Sequence, residues 1–199
     1  MNRISSRSPA CVPLLLRGLR ALCVALAAAV CAAGAPALSE EAIPLEKRVK
    51  AAYLAKLPGY VTWPESAFAK PDAPLTFGVL GDEQVAAELA QAVAGRDLEG
   101  HPLTVRRLKD GDSLTNLQVL FVAGRGRLAD AVRATEKQPV LLVSESEGGL
   151  ERGSVVNFTL VSERIKFDIA VDSAEKRGLK LSSRLLGVAH YVRPGSGTP

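Results

Sequence analysis

The sequence predicts an α/β fold: one domain with a mixed, mostly parallel sheet of about six strands and helices on both faces. Short apolar runs, such as residues 75–80 and 118–122, alternate with longer segments of helical periodicity, which is typical of β-α-β units. Near the C-terminus the pattern changes to two strands, residues 155–161 and 165–171, separated by three polar residues. That change predicts an antiparallel β-hairpin, with helices after it.

The first predicted helix covers residues 45–57, because Val49, Tyr53 and Leu57 recur at helical spacing before a Pro-Gly pair. Trp63-Pro64 then predicts an extended or turn segment. Four strands follow, and their β-α-β connections predict that they are parallel. The predicted elements are a strand at 75–80, a helix at 83–94, strands at 103–108 and 118–122, a helix at 128–136 and a strand at 140–143.

The C-terminal elements are predicted from alternation and capping residues. In the second hairpin strand, apolar side chains at odd positions alternate with polar or small ones, which predicts one core face and one partly wet face. Asp172 and Glu175 match a D-x-x-E capping box for a short helix that ends at Gly178. A last helix is predicted from residue 181 to about 191, opened by Ser182 or Ser183.

Residues 1–37 have the plan of a cleaved secretory signal peptide. A basic start without acidic residues leads into an apolar run at residues 21–33, which ends at Ala35-Pro36-Ala37. The run is shorter than the roughly 20 apolar residues of a membrane span. We therefore expect a periplasmic protein without membrane insertion after cleavage. Its single domain would cover residues 38–199, with loose ends at 38–44 and 193–199.

Removal of this leader changes the composition of the chain. The sequence has 25 Lys and Arg and 21 Asp and Glu; the leader holds 4 of the basic residues and no acidic ones, so 21 of each remain. No basic cluster suited to nucleic acid survives. The three cysteines, Cys11, Cys23 and Cys31, all lie in the leader. Disulfides, thiol nucleophiles and thiolate metal ligands are therefore not expected in the mature chain.

The motifs of the mature chain do not indicate a reaction. Residues 124–127, Gly-Arg-Gly-Arg, lack the Gly-Lys-Ser/Thr ending of a P-loop, and a flexible charged loop is the favoured interpretation. Ser173 and Lys176 match S-x-x-K, but no S-D-N or K-T-G element accompanies them. His101, expected in a loop, and His190 lack metal-ligand spacing. Neither a metal site nor a cofactor is expected.

Five residues are candidate contacts for a partner or ligand, and each has a structural alternative. Asp82 follows a strand at the end where α/β sheets bind ligands, but capping of the next helix is the favoured interpretation. Trp63 either anchors its loop in the core or presents an aromatic face to a partner. Lys180, Arg184 and His190 belong to the region of the last predicted helix, where an ordinary charged helix face is favoured.

Several segments together resemble the YfiR family of periplasmic proteins. The resemblance extends from about Lys47 to Ala189. Its most specific parts are the Trp-Pro pair after the first helix and the run G-L-K-L-S-S-R-L-L at residues 178–186. The other segments are residues 50–54, 60–64, 79–82, 118–122, 139–144, 156–158 and 165–169.

The resemblance implies regulation rather than catalysis. YfiR-like proteins bind the periplasmic part of an inner-membrane diguanylate cyclase, YfiN, and repress it, which limits cyclic di-GMP and biofilm formation. An outer-membrane lipoprotein, YfiB, can sequester the repressor, and members of the family tend to form homodimers. The best-known member has redox-sensitive disulfides, which are not expected in this chain because its mature part has no cysteine.

Three hypotheses from different classes follow. The leading one is a YfiR-like periplasmic repressor of a membrane-bound diguanylate cyclase. The second is a periplasmic small-molecule binding or sensor module for another membrane signalling protein. The third is a hydrolase, which requires an exposed Ser-His-Asp arrangement.

Overall fold

The computed structural model describes residues 44–195, which form one layered α/β unit. The predicted signal peptide, residues 38–43 of the predicted N-terminal tail and residues 196–199 lie outside the described residues. The helices and strands are, in chain order, α1 Leu45–Lys56, β1 Val61–Thr62, β2 Leu75–Leu80, α2 Glu83–Val93, β3 Asp97–Leu98, β4 His101–Leu108, β5 Val119–Val122, α3 Arg125–Thr135, β6 Leu141–Ser144, β7 Val156–Val161, β8 Arg164–Ala170, α4 Val171–Glu175, β9 Lys180–Leu181, α5 Ser183–Val188 and β10 Tyr191–Arg193.

The main sheet has the order β10-β8-β7-β6-β5-β2-β4-β3. The predicted fold class is confirmed, although the sheet has eight strands rather than about six. Strands β2, β4, β5, β6 and β7 are parallel, and β8 pairs with β7 in the predicted antiparallel hairpin. The two additional strands, β3 and β10, contain two and three residues and are too short to show an alternating pattern. Strands β1 and β9 form a separate two-stranded sheet.

Helices cover both faces of the sheet, as predicted. Side chains of β2 and β5 alternate between two core clusters because successive residues of a strand point to opposite faces. Phe77 and Phe121 pack in the cluster that contains residues of α1 and α2. Leu120 packs with Leu128 of α3 in the other cluster, which the segment between β4 and β5 completes with Leu117. The central strands are therefore buried on both sides, which explains their continuous apolar sequences.

The start of α3 corrects one prediction. The helix begins at Arg125 rather than at Leu128, so Arg125, Gly126 and Arg127 form its first turn instead of a flexible loop. Gly124 precedes the helix with a φ of +85°, a conformation that glycine adopts at little cost. This residue allows the turn from β5 into the helix. His101 was expected in a loop, but it is the first residue of β4, where it pairs with Leu98 of the edge strand.

The last predicted helix was too long. Helix α5 contains only Ser183–Val188, although Ser182 caps it as predicted and its Oγ accepts a hydrogen bond from Leu185 N at 3.3 Å. Lys180–Leu181 pairs with β1, and Tyr191–Arg193 pairs with β8. Backbone pairing with distant strands therefore replaces the helical conformation that local spacing favours, and local sequence does not reveal those partners.

The predicted capping box at Asp172 is also wrong. Helix α4 begins at Val171, so Asp172 lies inside its first turn and does not cap it. Its carboxylate accepts a hydrogen bond from Arg193 Nε at 2.9 Å. Burial raises the pKa of Asp172, but the hydrogen bonds and positive charges of Arg193 and Lys176 together outweigh this effect, so the net pKa is lowered. Arg193 is consequently a strand residue with a tertiary partner and not part of a loose end.

The hairpin agrees with its predicted alternation. Phe167 and Ile169 are buried, whereas Lys166 is exposed on the opposite face. Ala170 departs from the pattern, since it was expected on the wet face and is buried. Ser162 and Glu163 form a two-residue turn, and both have positive φ. This is the backbone that tight hairpins require because it matches the twist of the strands.

Candidate functional site

After β2, the chain places β4 on one side of β2 and then β5 on its other side. The pair β2 and β5 is therefore the topological switch point of the sheet. Open α/β sheets bind ligands beyond the carboxyl ends of strands at such a point. Here the two backbones lie in close contact: Ala123 N donates to Leu80 O at 2.8 Å. A Cβ on Gly81, which has a φ of +90°, would lie 2.8 Å from the Ala123 carbonyl oxygen. Glycine is therefore required at this position.

Arg127 lies beside the switch point. Its Nη1 atom is 3.1 Å from the position of a Cβ on Gly81. Its Nε and Nη2 atoms donate to the two carboxylate oxygens of Asp110, at 2.5 and 3.0 Å. These bonds lower the pKa of Asp110 and raise the pKa of Arg127. The paired contact holds the guanidinium in one orientation, because both groups are planar.

A cavity of about 860 Å³ adjoins Arg127 and runs between α3 and the segment that follows β4. Leu80, Leu114 and Ala131 supply apolar parts of its wall. Lys109 and Gln138 add polar groups. This volume falls within the roughly 300–1,000 Å³ of small-molecule sites.

Two lysines join the first turns of α1 to the carboxyl edge of the sheet. Lys47 forms an ion pair with Asp82, which follows β2. Lys50 is 5% exposed, and its Nζ lies 2.5 Å from Glu145 Oε2, just beyond β6; it also contacts Glu46. Burial lowers the pKa of Lys50, but the hydrogen bonds to Glu145 and Glu46 outweigh it, so the net pKa is raised. The bond from Lys50 lowers the pKa of Glu46.

Asp82 acts as the predicted helix cap. Its Oδ1 accepts a hydrogen bond from Val85 N at 3.0 Å, at the start of α2. Its Oδ2 contacts Lys47. Both carboxylate oxygens therefore have structural partners, which is the alternative that the sequence favoured for this residue.

Trp63 and Lys180 lie close together at the other end of the domain. Trp63 follows β1 and packs, partly buried, against the core cluster below α1 and α2. Its Nε1 atom is buried and has no hydrogen-bond partner among the described residues. Lys180 is exposed and pairs with Thr62 in the small sheet, so it belongs to β9 and not to a helix.

Arg184 lies in the first turn of α5, and His190 lies two residues after the helix ends. Arg184 is exposed on that helix. His190 follows the helix instead of belonging to it: its backbone N donates to Phe167 O, and its Nδ1 lies 2.9 Å from Asp168 Oδ1. This contact joins the end of α5 to the hairpin.

The structure does not bring the five candidate residues together. Asp82 contacts the N-terminal end of α1, whereas Trp63 lies beyond its C-terminal end, and a 12-residue helix is about 18 Å long. The sequence-based reasoning missed Lys47, Lys50 and Glu145. Their signal is weak: two lysines three residues apart on a predicted helix, and a glutamate that follows a buried strand.

Three other kinds of feature, a metal site, a catalytic triad and a membrane-spanning helix, are absent from the described residues. Within residues 44–195, no three Asp, Glu or His side chains are arranged to hold a metal ion. Neither histidine ring hydrogen-bonds to a serine in this range, so the triad of the hydrolase hypothesis is not formed there. None of the helices between α1 and α5 combines the length and the apolar character needed to cross a bilayer.

The sheet is doubly wound, with a cavity beside its switch point and ion pairs along its carboxyl edge, and it defines the class of the protein as an open α/β domain. The chain belongs to the YfiR/HmsC-like family, whose model matches residues 47–190. The predicted family is therefore confirmed. Membership supports the role of a periplasmic regulator in diguanylate cyclase signalling. It also supports a regulatory rather than a catalytic class of protein.

Solved structures show the same fold at low sequence identity. The chain is similar to a conserved domain protein from Vibrio cholerae, with 11% identity, a TM-score of 0.50, and coverage of 74% of this chain and 60% of that one. It is also similar to an ABC domain from Streptococcus pneumoniae in complex with L-Trp, again with 11% identity and a TM-score of 0.50, covering 73% and 60%. The chain thus spans three fifths of each. No curated protein sequence matches it.

Proposed function

We propose that this protein is a periplasmic repressor that binds a membrane-bound, YfiN-like diguanylate cyclase and thereby lowers cyclic di-GMP and biofilm formation. The observation that carries the proposal is the family match over residues 47–190, which extends from the first turn of α1 to beyond the end of α5. The signal peptide expected at residues 1–37 supports export to the periplasm. A YfiB-like lipoprotein and a second copy of the chain are further proposed partners.

The proposed mechanism is binding without chemistry. A repressor of this kind stabilises one conformation of the cyclase only by its higher affinity for that conformation. At the carboxyl edge, Asp82, Lys47 and Lys50 are already engaged in internal ion pairs. This arrangement is compatible with a protein that binds a partner without catalysing a reaction. Trp63, Lys180, Arg184 and His190 remain candidate contact residues at the opposite end and side of the domain.

The test is cyclic di-GMP in a deletion strain of the native host. Deletion is expected to raise cyclic di-GMP and surface attachment severalfold, and the wild-type chain supplied in trans should reverse both. A variant without residues 1–37 should remain in the cytoplasm and fail to complement. An unchanged cyclic di-GMP level in the deletion strain, while a cyclase with a periplasmic segment is expressed, would refute repression.

The cavity favours a second candidate function, a small-molecule sensor module. Its volume of about 860 Å³ and its place beside the switch point match the usual position of ligands in such sheets. The similar Streptococcus domain, which holds L-Trp, is compatible with this candidate. A thermal-shift screen with periplasmic metabolites tests it, since a ligand of the folded state raises the melting temperature and Arg127→Gln should abolish the shift.

A further inference from the structure

We infer that a notch at the N-terminal end of α1 docks a segment of the protein partner in which a basic side chain adjoins an apolar one. The notch is defined by Glu46, Lys50, Glu145, Leu160 and Ile165. This inference rests on the proposed function, because it names the surface through which the repressor would contact its partner.

The apolar part of the notch consists of side chains that have no cover in the described structure. Leu160, near the tip of the hairpin, is 65% exposed, and Ile165 beside it is only partly buried. Leu160 lies directly opposite Ile165 in the hairpin register, so the two side chains share the face towards α1. Exposed apolar surface that is rimmed by polar residues marks sites of interaction with other proteins.

The polar part of the notch carries excess negative charge. Glu46 and Glu145 share the single ammonium group of Lys50, which is itself almost fully buried. The dipole of α1 contributes about half a positive charge at this end. A partial negative charge therefore remains beside Leu160. The carboxylate of Glu46 is half exposed and has oxygen lone pairs available for a further donor.

The size and charge of the notch select the occupant. Glu46, Lys50, Glu145, Leu160 and Ile165 surround a depression of about 260 Å³. This volume is below the usual range of small-molecule sites but accommodates one or two side chains. A second copy of this chain docked symmetrically would place the excess negative charges of two notches against each other, which is unfavourable. A Lys or Arg next to an apolar residue satisfies both parts of the surface.

The test introduces charge into the notch of the full-length protein in the deletion strain. If Leu160→Asp cannot dock, the deletion strain that carries it should keep at least half of the rise in cyclic di-GMP that the deletion causes. The matched control is Ala52→Asp, which introduces the same charge at an exposed apolar position of α1 outside the notch; it should repress like the wild type. Glu46→Gln should cause a smaller loss of repression, while Glu65→Gln, at an exposed position beyond the far end of α1, should cause none.

Two further measurements, thermal melting and light scattering, make the outcomes decisive. The purified variants should melt within a few degrees of the wild type, because exposed substitutions have small effects on stability. If Leu160→Asp represses fully, the docking surface is wrong while the proposed function stands; if the wild-type chain does not lower cyclic di-GMP, the proposed function itself fails. If light scattering shows that Leu160→Asp converts a dimer to a monomer, the occupant is a second copy, which overturns the inference.

Discussion

The central strands and the C-terminal strands of the sheet bury their side chains in different ways. Every residue of β2, β5 and β6 is buried, because α1 and α2 cover one face and α3 the other. In β8, only three of the seven residues are buried, and in β10 none is. Of the described residues between Leu75 and Ser144, no large apolar side chain is exposed, whereas Leu160, Val188 and Tyr191 are all exposed in the C-terminal part.

The two parts of the sheet therefore contribute different properties to the protein. The central strands supply stability, since burial of apolar surface is the main favourable contribution to folding. The C-terminal part supplies surface: its exposed apolar residues contribute little to stability and are available for contacts with another protein. Substitutions should therefore affect stability in the first part and regulation in the second, and the following predictions test this separation.

The largest effect is expected at the centre of the sheet. Phe121→Ala should lower the free energy of unfolding by about 3–5 kcal/mol, because Phe121 is fully buried and its removal leaves a cavity. Leu160→Ala, in the C-terminal part, should change it by less than about 0.5 kcal/mol. Urea denaturation followed by circular dichroism measures both. Equal losses in the two variants would contradict the proposed separation.

The next effect is expected where the two parts meet. A Cβ on Gly149 would lie 2.3 Å from Asn157 Oδ1 and 2.4 Å from Ser144 Oγ, which join β6 to β7. Gly149→Ala should therefore destabilise the domain by about 1–3 kcal/mol through overpacking. Gly126→Ala is the matched control; it lies in α3 with no atom within 4 Å of the new Cβ and should be neutral or stabilising. Thermal unfolding distinguishes the two variants.

The smallest effect is expected for Lys50, which joins α1 to the edge of the sheet, and it should depend on pH. The pKa of Glu46 is lowered in the folded state, so its contribution to stability is present near neutral pH and is lost as the pH falls through that lowered pKa. Lys50→Met should cost about 1 kcal/mol at pH 7 and reduce the loss of stability between pH 5 and pH 3. Lys56→Met, at an exposed position of the same helix, should leave the acid dependence unchanged. Urea midpoints across this pH range provide the measurement.

The central part of the fold could be predicted from the sequence, and the site could be predicted only in part. The strands at Leu75–Leu80 and near Phe121 have continuous apolar sequences that persist in any context. The cap at Asp82 is a local interaction between neighbouring residues and was also predictable. The pairs Lys47–Asp82 and Lys50–Glu145 join residues 35 and 95 positions apart, and residue type alone does not reveal them.

By itself, the sequence determined the fold class, the hairpin, the family and the expectation of export, because each depends on local periodicity, on turn residues or on short runs of sequence. Only the tertiary structure decided that the chain near Lys180 and Tyr191 forms strands, since those conformations depend on backbone partners far away in the sequence. It also decided which apolar side chains remain uncovered. Leu160 continues the alternation of the buried Phe158, but it is exposed because it lines an open depression beside Glu46 and Lys50 of α1 instead of the core.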